Sequence, residues 1–218
     1  MPLYIQEDKL KTLKNWFIVD IGYSSSSKSC GYYTSETEND DISYGQLANT
    51  IKNYAKDKKE IGLIIEAPLS ISFDKDGNPK GRRPEKIKFS EKEIIDKNLK
   101  IKTQTRYWYF GAAATVSLAT LELLNNIKSS ETSIYLFEGM VTFKIDEESK
   151  ESNHWKDAEL LFNCLSKDRK ENQQLFEDNT SNYFLGKYMC IPTIKETDIP
   201  PLIKADKNSV EIFTAHEE

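Results

Sequence analysis

Three apolar runs that each end in an acidic residue constrain the fold of this chain more than any other feature. The runs and their acidic ends are residues 16–19 with Asp20, residues 61–65 with Glu66, and residues 133–137 with Glu138. Continuous apolar runs of about 4–8 residues are typical of strands buried on both faces of a sheet. Helical periodicity between the runs favours crossover connections and parallel pairing. The sequence therefore predicts an α/β fold.

The connecting segments predict the neighbours of these strands. Ser43 can cap a helix over about residues 43–56, and further helices are predicted over about residues 108–127 and 154–167. Residues 29–34 are predicted to form a strand that pairs antiparallel with the Asp20 strand as a hairpin. The Asp20 strand is expected to lie beside the Glu66 strand, so the central sheet is mixed.

The length of 218 residues suits a single domain over residues 1–218. We expect a core over about residues 15–166, a basic insertion over about 69–105 and an irregular C-terminal extension over about 167–218. The insertion contains the turn signal DGNP and is predicted to be a loop with a short helix around residues 90–98. An acidic loop is expected at residues 36–42 and an edge strand at about 188–192.

Composition narrows the class of protein. The net charge is -5 and 38% of residues are hydrophobic, so the chain lacks the global basic character of a nucleic-acid coat protein. Its three cysteines have no CxxC spacing, which argues against a disulfide framework or a cysteine zinc site. No segment approaches the length of an apolar membrane span, and the first residues lack a signal-peptide pattern. We expect a cytoplasmic protein that does not associate with membranes.

Acidic strand ends predict a metal site. The carboxyl ends of parallel strands meet at one edge of a sheet, where ligands bind. Asp20, Glu66 and Glu138 are expected there, and the helix that starts with His154 adds Asp157 in its first turn. Clustered carboxylates repel one another unless a cation lies among them, and Mg²⁺ or Mn²⁺ is the cation suited to oxygen ligands. Each residue alone also has a plain structural interpretation, as a strand end or as a helix-start charge.

The order of these residues resembles the ribonuclease-H-like superfamily, in its Holliday-junction-resolvase branch. The matching segments are VDIG around Asp20, LIIEAPL around Glu66, and HWKDA, which begins at His154 and contains Asp157. The resemblance covers most of residues 15–166. It implies a mixed central sheet flanked by helices, with Asp20, Glu66 and Asp157 as ligands of catalytic metals and with His154 and Glu138 at the rim of the site.

The chain is also similar to a bacterial group of predicted ribonuclease-H-like nucleases. That similarity rests on the EAPL strand end and on an FEG…FK segment that begins at Phe137. The sequence departs from the resolvase pattern at His154, which stands where resolvases often have a carboxylate. Both resemblances imply a metal-dependent nuclease that hydrolyses phosphodiester bonds of DNA or RNA.

Basic residues of the insertion are candidate contacts for nucleic acid. They are Lys80, Arg82, Arg83 and, further along the chain, Arg106. Lysine ammonium and arginine guanidinium groups bind phosphates, and the aromatic residues that follow Arg106 could stack on bases. The alternative is a solvated loop followed by a helix start that packs on the core.

Two further functions remain open from the sequence. One is a catalytically silent ribonuclease-H-like scaffold that binds a partner, which the acidic composition favours. The other is an actin-like ATPase, because such proteins share a strand that ends in Asp-x-Gly. Against the ATPase, the chain contains no second phosphate loop with an Asp-Gly pair and is short for two such domains.

Overall fold

The computed structural model describes residues 2–22, 25–73, 76, 79–80, 112–128, 131–142, 154–165, 181–184, 193 and 199–206. A mixed seven-stranded sheet lies at the centre, and a second sheet has three antiparallel strands. The seven strands are β1 (Leu3–Tyr4), β2 (Trp16–Ile21), β3 (Cys30–Thr34), β4 (Asn39–Ile42), β5 (Glu60–Glu66), β8 (Ser133–Thr142) and β10 (Leu202–Asp206). The small sheet contains β6 (Ser70–Phe73), β7 (Pro79–Lys80) and β9 (Ser181–Phe184).

Strand β2 lies between the two neighbours that the sequence predicts for it, the Glu66 strand and the strand of residues 29–34. The order of the main sheet is β1-β8-β5-β2-β3-β4, and β10 also pairs with β8. Strand β2 is parallel to β5 on one side and antiparallel to β3 on the other, and β5 is parallel to β8. The predicted α/β class, the mixed central sheet and the neighbours of β2 are therefore confirmed.

Three α-helices cover the two faces of the main sheet. They are α1 (Tyr44–Ala55), α2 (Ala112–Ile127) and α3 (His154–Cys164). Side chains alternate between faces along a strand. Phe17 and Val19 of β2 accordingly belong to the core with α1 and α2, whereas Trp16 and Ile18 belong to the core with α3.

Side chains at the start of α1 determine where this helix begins. Gln46 Oε1 accepts hydrogen bonds from the backbone N–H of Ser43, at 3.1 Å, and from its hydroxyl, at 2.8 Å. This contact satisfies a backbone donor where the helix begins. Leu47 and Ile51 follow one turn apart and are fully buried against the sheet.

Several predictions about individual segments were wrong. The segment of residues 36–42 was predicted to be a loop, but its last four residues form β4. Pairing with β3 outweighs the low strand propensity of aspartate. Residues 70–73 and 79–80 form β6 and β7 within the predicted loop. Helix α3 ends at Cys164, a few residues earlier than expected. The predicted edge strand at 188–192 and the short helix at 90–98 lie outside the described residues.

The part of the chain that the structure describes contains no helix with the length and apolar character needed to span a membrane.

Candidate functional site

A row of in-register residues crosses four strands at the carboxyl end of β2. Asp41 of β4 pairs with Gly31 of β3, Gly31 pairs with Asp20 of β2, and Asp20 pairs with Glu66 of β5. Residues directly opposite each other on adjacent strands project from the same face of a sheet. We call these four residues the acidic row. Its side chains lie on the face that α3 covers, because Asp20 continues the alternation of Trp16 and Ile18.

A short contact across the site joins Asp20 to His154, the first residue of α3. Their Oδ2 and Nδ1 atoms are 2.8 Å apart, and the exposed fractions of the two side chains are 5% and 24%. With an ionised Asp20, the Nδ1–H of His154 donates this hydrogen bond. The bond fixes the orientation of the imidazole, and protonation of the ring would turn it into an ion pair.

Glycine at position 31 allows α3 to lie directly on the acidic row. A Cβ atom at Gly31 would overlap the backbone of His154 and Trp155. At Gly22, just after β2, a Cβ would lie 2.9 Å from Cε1 of the His154 ring. Position 31 therefore requires the absence of a side chain for the first turn of α3 to approach the strands this closely, whereas an added Cβ at Gly22 would first meet the backbone carbonyl oxygen of Ser29.

Asp41 contacts the same turn of α3 from the other side of Gly31. Its Oδ1 accepts a hydrogen bond from the backbone N–H of Trp155 at 2.9 Å. Asp41 is not among the site residues that the sequence pattern predicts. The available signal was Gly31 in the interior of a strand, since such a glycine often marks a close approach by another part of the backbone.

Asp157 and Glu66 complete the carboxylates on this face. Asp157 is 5% exposed and lies one turn after His154, on the side of α3 that packs against the sheet with Ala158 and Leu161. Glu66 is partly buried, and its Oε1 accepts the backbone N–H of Val141 at 3.3 Å. Two of the three predicted metal ligands, Asp20 and Glu66, are thus neighbours in register, and Asp157 shares their face.

Glu138 lies on the opposite face of the sheet. It pairs with Ile65 rather than with Glu66, and a shift of one residue reverses the face to which a side chain points. Its side chain is 0% exposed, and Oε2 accepts a hydrogen bond from the Ser70 hydroxyl at 2.8 Å. The structure therefore does not bring Glu138 to the rim of the site around Asp20, where the sequence analysis expected it.

The predicted phosphate contacts fall mostly outside the described residues. Lys80 is the last residue of β7, on the small sheet. Arg82, Arg83 and Arg106 lie in segments outside the described ranges.

Among the described residues, no group of three or more His, Cys, Asp or Glu side chains is arranged so that it could hold a metal ion. Comparisons of the chain with protein-family models, with curated proteins and with solved structures gave no match. The candidate site therefore rests on its own geometry: a partly exposed histidine is bonded to a buried aspartate, and three more carboxylates, those of Asp41, Glu66 and Asp157, lie on the same face.

Proposed function

We propose that this chain is a metal-dependent nuclease with a ribonuclease-H-like fold. In this proposal Asp20, Glu66 and Asp157 come together around Mg²⁺ or Mn²⁺ when the ion binds, because these described side chains are not arranged as a metal site without it. The substrate is a phosphodiester of DNA or RNA. The observation that carries the proposal is the in-register pair of Asp20 and Glu66 on adjacent parallel strands, on the face that also presents the nearly buried Asp157.

The donor chemistry of this face suits a hard divalent cation. The carboxylates of Asp20, Glu66 and Asp157 supply oxygen ligands, which Mg²⁺ and Mn²⁺ prefer. Bringing carboxylates together in a poorly solvated site is costly unless a cation offsets their repulsion. A divalent ion bound there would polarise the phosphate and lower the pKa of a bound water. His154 would keep Asp20 oriented through its Nδ1–H, as partners of metal-binding carboxylates do.

The arrangement of strands supports the same proposal. The resemblance implies a mixed sheet in which the strand of the first aspartate lies beside the strand of the glutamate. Strand β2 has this position, with the antiparallel hairpin partner β3 on its other side. Glu138 is not part of the proposed ligand set, because its side chain lies on the other face.

A specific observation favours a second candidate, a partner-binding scaffold without catalysis. Asp20 is bonded to His154, and Glu66 accepts the Val141 N–H, so protein groups already bind both carboxylates. In a scaffold these contacts would serve only to dock α3 and β8 onto the central strands.

The Asp20→Asn variant separates the two candidates. The amide keeps the size and one acceptor oxygen for His154, but it removes the charge that would hold the ion. We expect wild type to cleave single- or double-stranded DNA or RNA with Mn²⁺. Cleavage should fall by more than about 100-fold in the variant, because even partners that only orient a metal ligand are worth about 10–100-fold. The matched control is Asp40→Asn, which removes the same charge from an exposed position of β4.

Melting curves with and without Mn²⁺ complete the test. Mn²⁺ should raise the Tm of wild type and of Asp40→Asn more than that of Asp20→Asn, since only binding to the folded state shifts unfolding. Equal shifts in all three proteins would show that Asp20 is not a ligand. A wild type that cleaves none of the four substrates and shows no Tm shift would favour the scaffold. ATP hydrolysis in parallel assays would favour the ATPase.

A further inference from the structure

Two carboxylates of the acidic row contact the first turn of α3. Asp20 Oδ2 lies 2.8 Å from the His154 ring, and Asp41 Oδ1 accepts the Trp155 N–H at 2.9 Å. Gly31 lies between the two aspartates in the register of the sheet, directly beneath this turn. One side-chain contact and one backbone contact therefore dock two consecutive residues of α3 on β2 and β4, with Gly31 of β3 packed beneath them.

We propose that Asp41 is a positioning residue for the candidate site. By accepting the Trp155 N–H, it anchors the first turn of α3 to β4 and so sets the His154 ring against Asp20. The anchoring concerns the protein without metal. Its consequence for metal binding and cleavage rests on the function proposed above.

The chemistry of a helix start favours a carboxylate at this position. The first backbone N–H groups of an α-helix have no partner within the helix, and they lie at the positive end of its dipole. A hydrogen bond from such a group to an ionised carboxylate is stronger than one between neutral groups. Asp41 is partly buried and 114 residues away from Trp155 in sequence. Its bond therefore fixes how α3 docks on the sheet, whereas a local cap would only begin the helix.

The packing beneath the turn leaves little room for an alternative position. A Cβ at Gly31 would already overlap the backbone of His154 and Trp155, so the turn is in close contact with β3. The His154 ring also lies close to Gly22. Because the two bonded residues are consecutive, loss of the Trp155 anchor changes the position from which the His154 side chain reaches Asp20. Asp157 lies in the same first turn, three residues after His154.

The test compares Asp41→Ala with Asp41→Asn and with Asp40→Ala in metal-free protein. Asparagine keeps an oxygen that can accept the Trp155 N–H, whereas alanine does not. Asp40 is the adjacent, exposed aspartate, and its side chain accepts the neighbouring N–H of Asp41 and no other donor among the described residues. NMR would follow hydrogen exchange at the Trp155 amide and the ring ¹⁵N shifts of His154. A His154→Gln variant would assign these shifts, since the chain has two histidines.

We expect Asp41→Ala to speed exchange of the Trp155 amide by about ten-fold, which corresponds to loss of one charge-assisted hydrogen bond. The His154 ring should move from a predominantly Nδ1-protonated form toward the mixture of a free imidazole. In Asp41→Asn the exchange rate of the Trp155 amide and the ring shifts of His154 should stay close to those of wild type. In Asp40→Ala both should be unchanged. The affinity for Mn²⁺, measured in the same variants, should fall most in Asp41→Ala, less in Asp41→Asn and not at all in Asp40→Ala.

Two results would overturn the proposal. Unchanged Trp155 exchange in Asp41→Ala would mean that Asp41 does not anchor the turn. Faster exchange with unchanged His154 shifts would mean that the anchor does not position the ring. Failure of wild type to bind Mn²⁺ would instead count against the proposed function, and the two NMR measurements would still decide the role of Asp41.

Discussion

Cys30 shows how strongly the fold controls the chemistry of a single side chain near the site. It follows Ser29 at the start of β3, in register with Ile21, and its side chain is fully buried in the core with α1 and α2. Burial raises the pKa of the Cys30 thiol from 9.0 to about 11, because the thiolate loses its hydration. A thiol is nucleophilic only as its thiolate, so Cys30 is held in an unreactive form at neutral pH.

Alkylation should therefore distinguish Cys30 from Cys164, which is only partly buried. At pH 8 the raised pKa leaves Cys30 with about a hundredfold less thiolate than a thiol at 9.0 would have. We expect iodoacetamide to modify Cys164 well before Cys30, as measured by mass spectrometry of peptides over time. Equal labelling rates in folded protein would contradict the burial of Cys30.

The same shift gives a pH dependence of stability with a definite sign. The folded state raises the pKa, so it favours the protonated thiol. This contribution to the free energy of unfolding is fully present below about pH 9 and is lost as the pH rises toward about 11. Urea unfolding at a series of pH values should show the free energy of unfolding of wild type falling between about pH 9 and 11. The fall should be smaller in Cys30→Ala, even if that variant is less stable at every pH.

At the scale of single elements, α1 contains one residue that weakens it without an evident packing role. Gly45 lies in the first turn and is exposed, and a Cβ added there would meet no atom within 4 Å. Glycine inside a helix costs conformational entropy that alanine does not.

Gly45→Ala should therefore raise the free energy of unfolding by about 0.5–1 kcal/mol. Urea denaturation monitored by circular dichroism would measure the change. Gly31→Ala is the contrasting substitution, because its Cβ would overlap the backbone of α3, and it should destabilise the protein. A lower free energy of unfolding in Gly45→Ala would contradict the open space around the added Cβ.

Elements that are specified by local pattern could be predicted from the sequence. The apolar runs before Asp20 and Glu66 predicted β2 and β5. Both carboxylates lie on one face, because side chains alternate along each strand and the two residues are in register. The position of Glu138 could not be predicted, because its face depends on the register between β5 and β8. A run of apolar residues carries no information about that register.

Contacts between segments that are distant in sequence account for the other differences between the predicted and the observed structure. Strand β4 was predicted as a loop because Asp40 and Asp41 have low strand propensity, yet pairing with β3 makes it the edge strand. The role of Asp41 depends on the docking of α3, whose Trp155 lies more than 100 residues further along the chain. Gly31 was the only local sign of this docking, and a glycine does not identify its neighbour.

At the scale of the whole molecule, a buried hydrogen bond connects the two sheets. Ser70, the first residue of β6, donates to Glu138 on β8 at 2.8 Å, and both side chains are almost fully buried. A buried carboxylate that loses a donor costs more than the bond itself contributes. Glu138 therefore has a structural role on the face opposite to the candidate site.

Ser70→Ala should lower the free energy of unfolding by about 1–3 kcal/mol, because Glu138 then loses a donor in a site that water does not reach. A double-mutant cycle with Glu138→Leu, which removes the acceptor, would isolate the interaction from the effects of each substitution alone. The cycle should give a favourable coupling energy between the two residues. A coupling energy of zero would mean that Ser70 and Glu138 act independently.

The shared outer edge of β8 has a consequence for how the protein is made. Strand β1 pairs with β8 at Ile134 and Tyr135, whereas β10 pairs from Glu138 onward. During synthesis, the second part of this edge emerges about 60 residues before its partner does. A ribosome adds about 5–20 residues per second, so this backbone stays open for several seconds. An open strand edge can pair with another chain. In the interval after β8 has emerged and before β10 has been synthesised, this part of β8 is open to pairing with another chain.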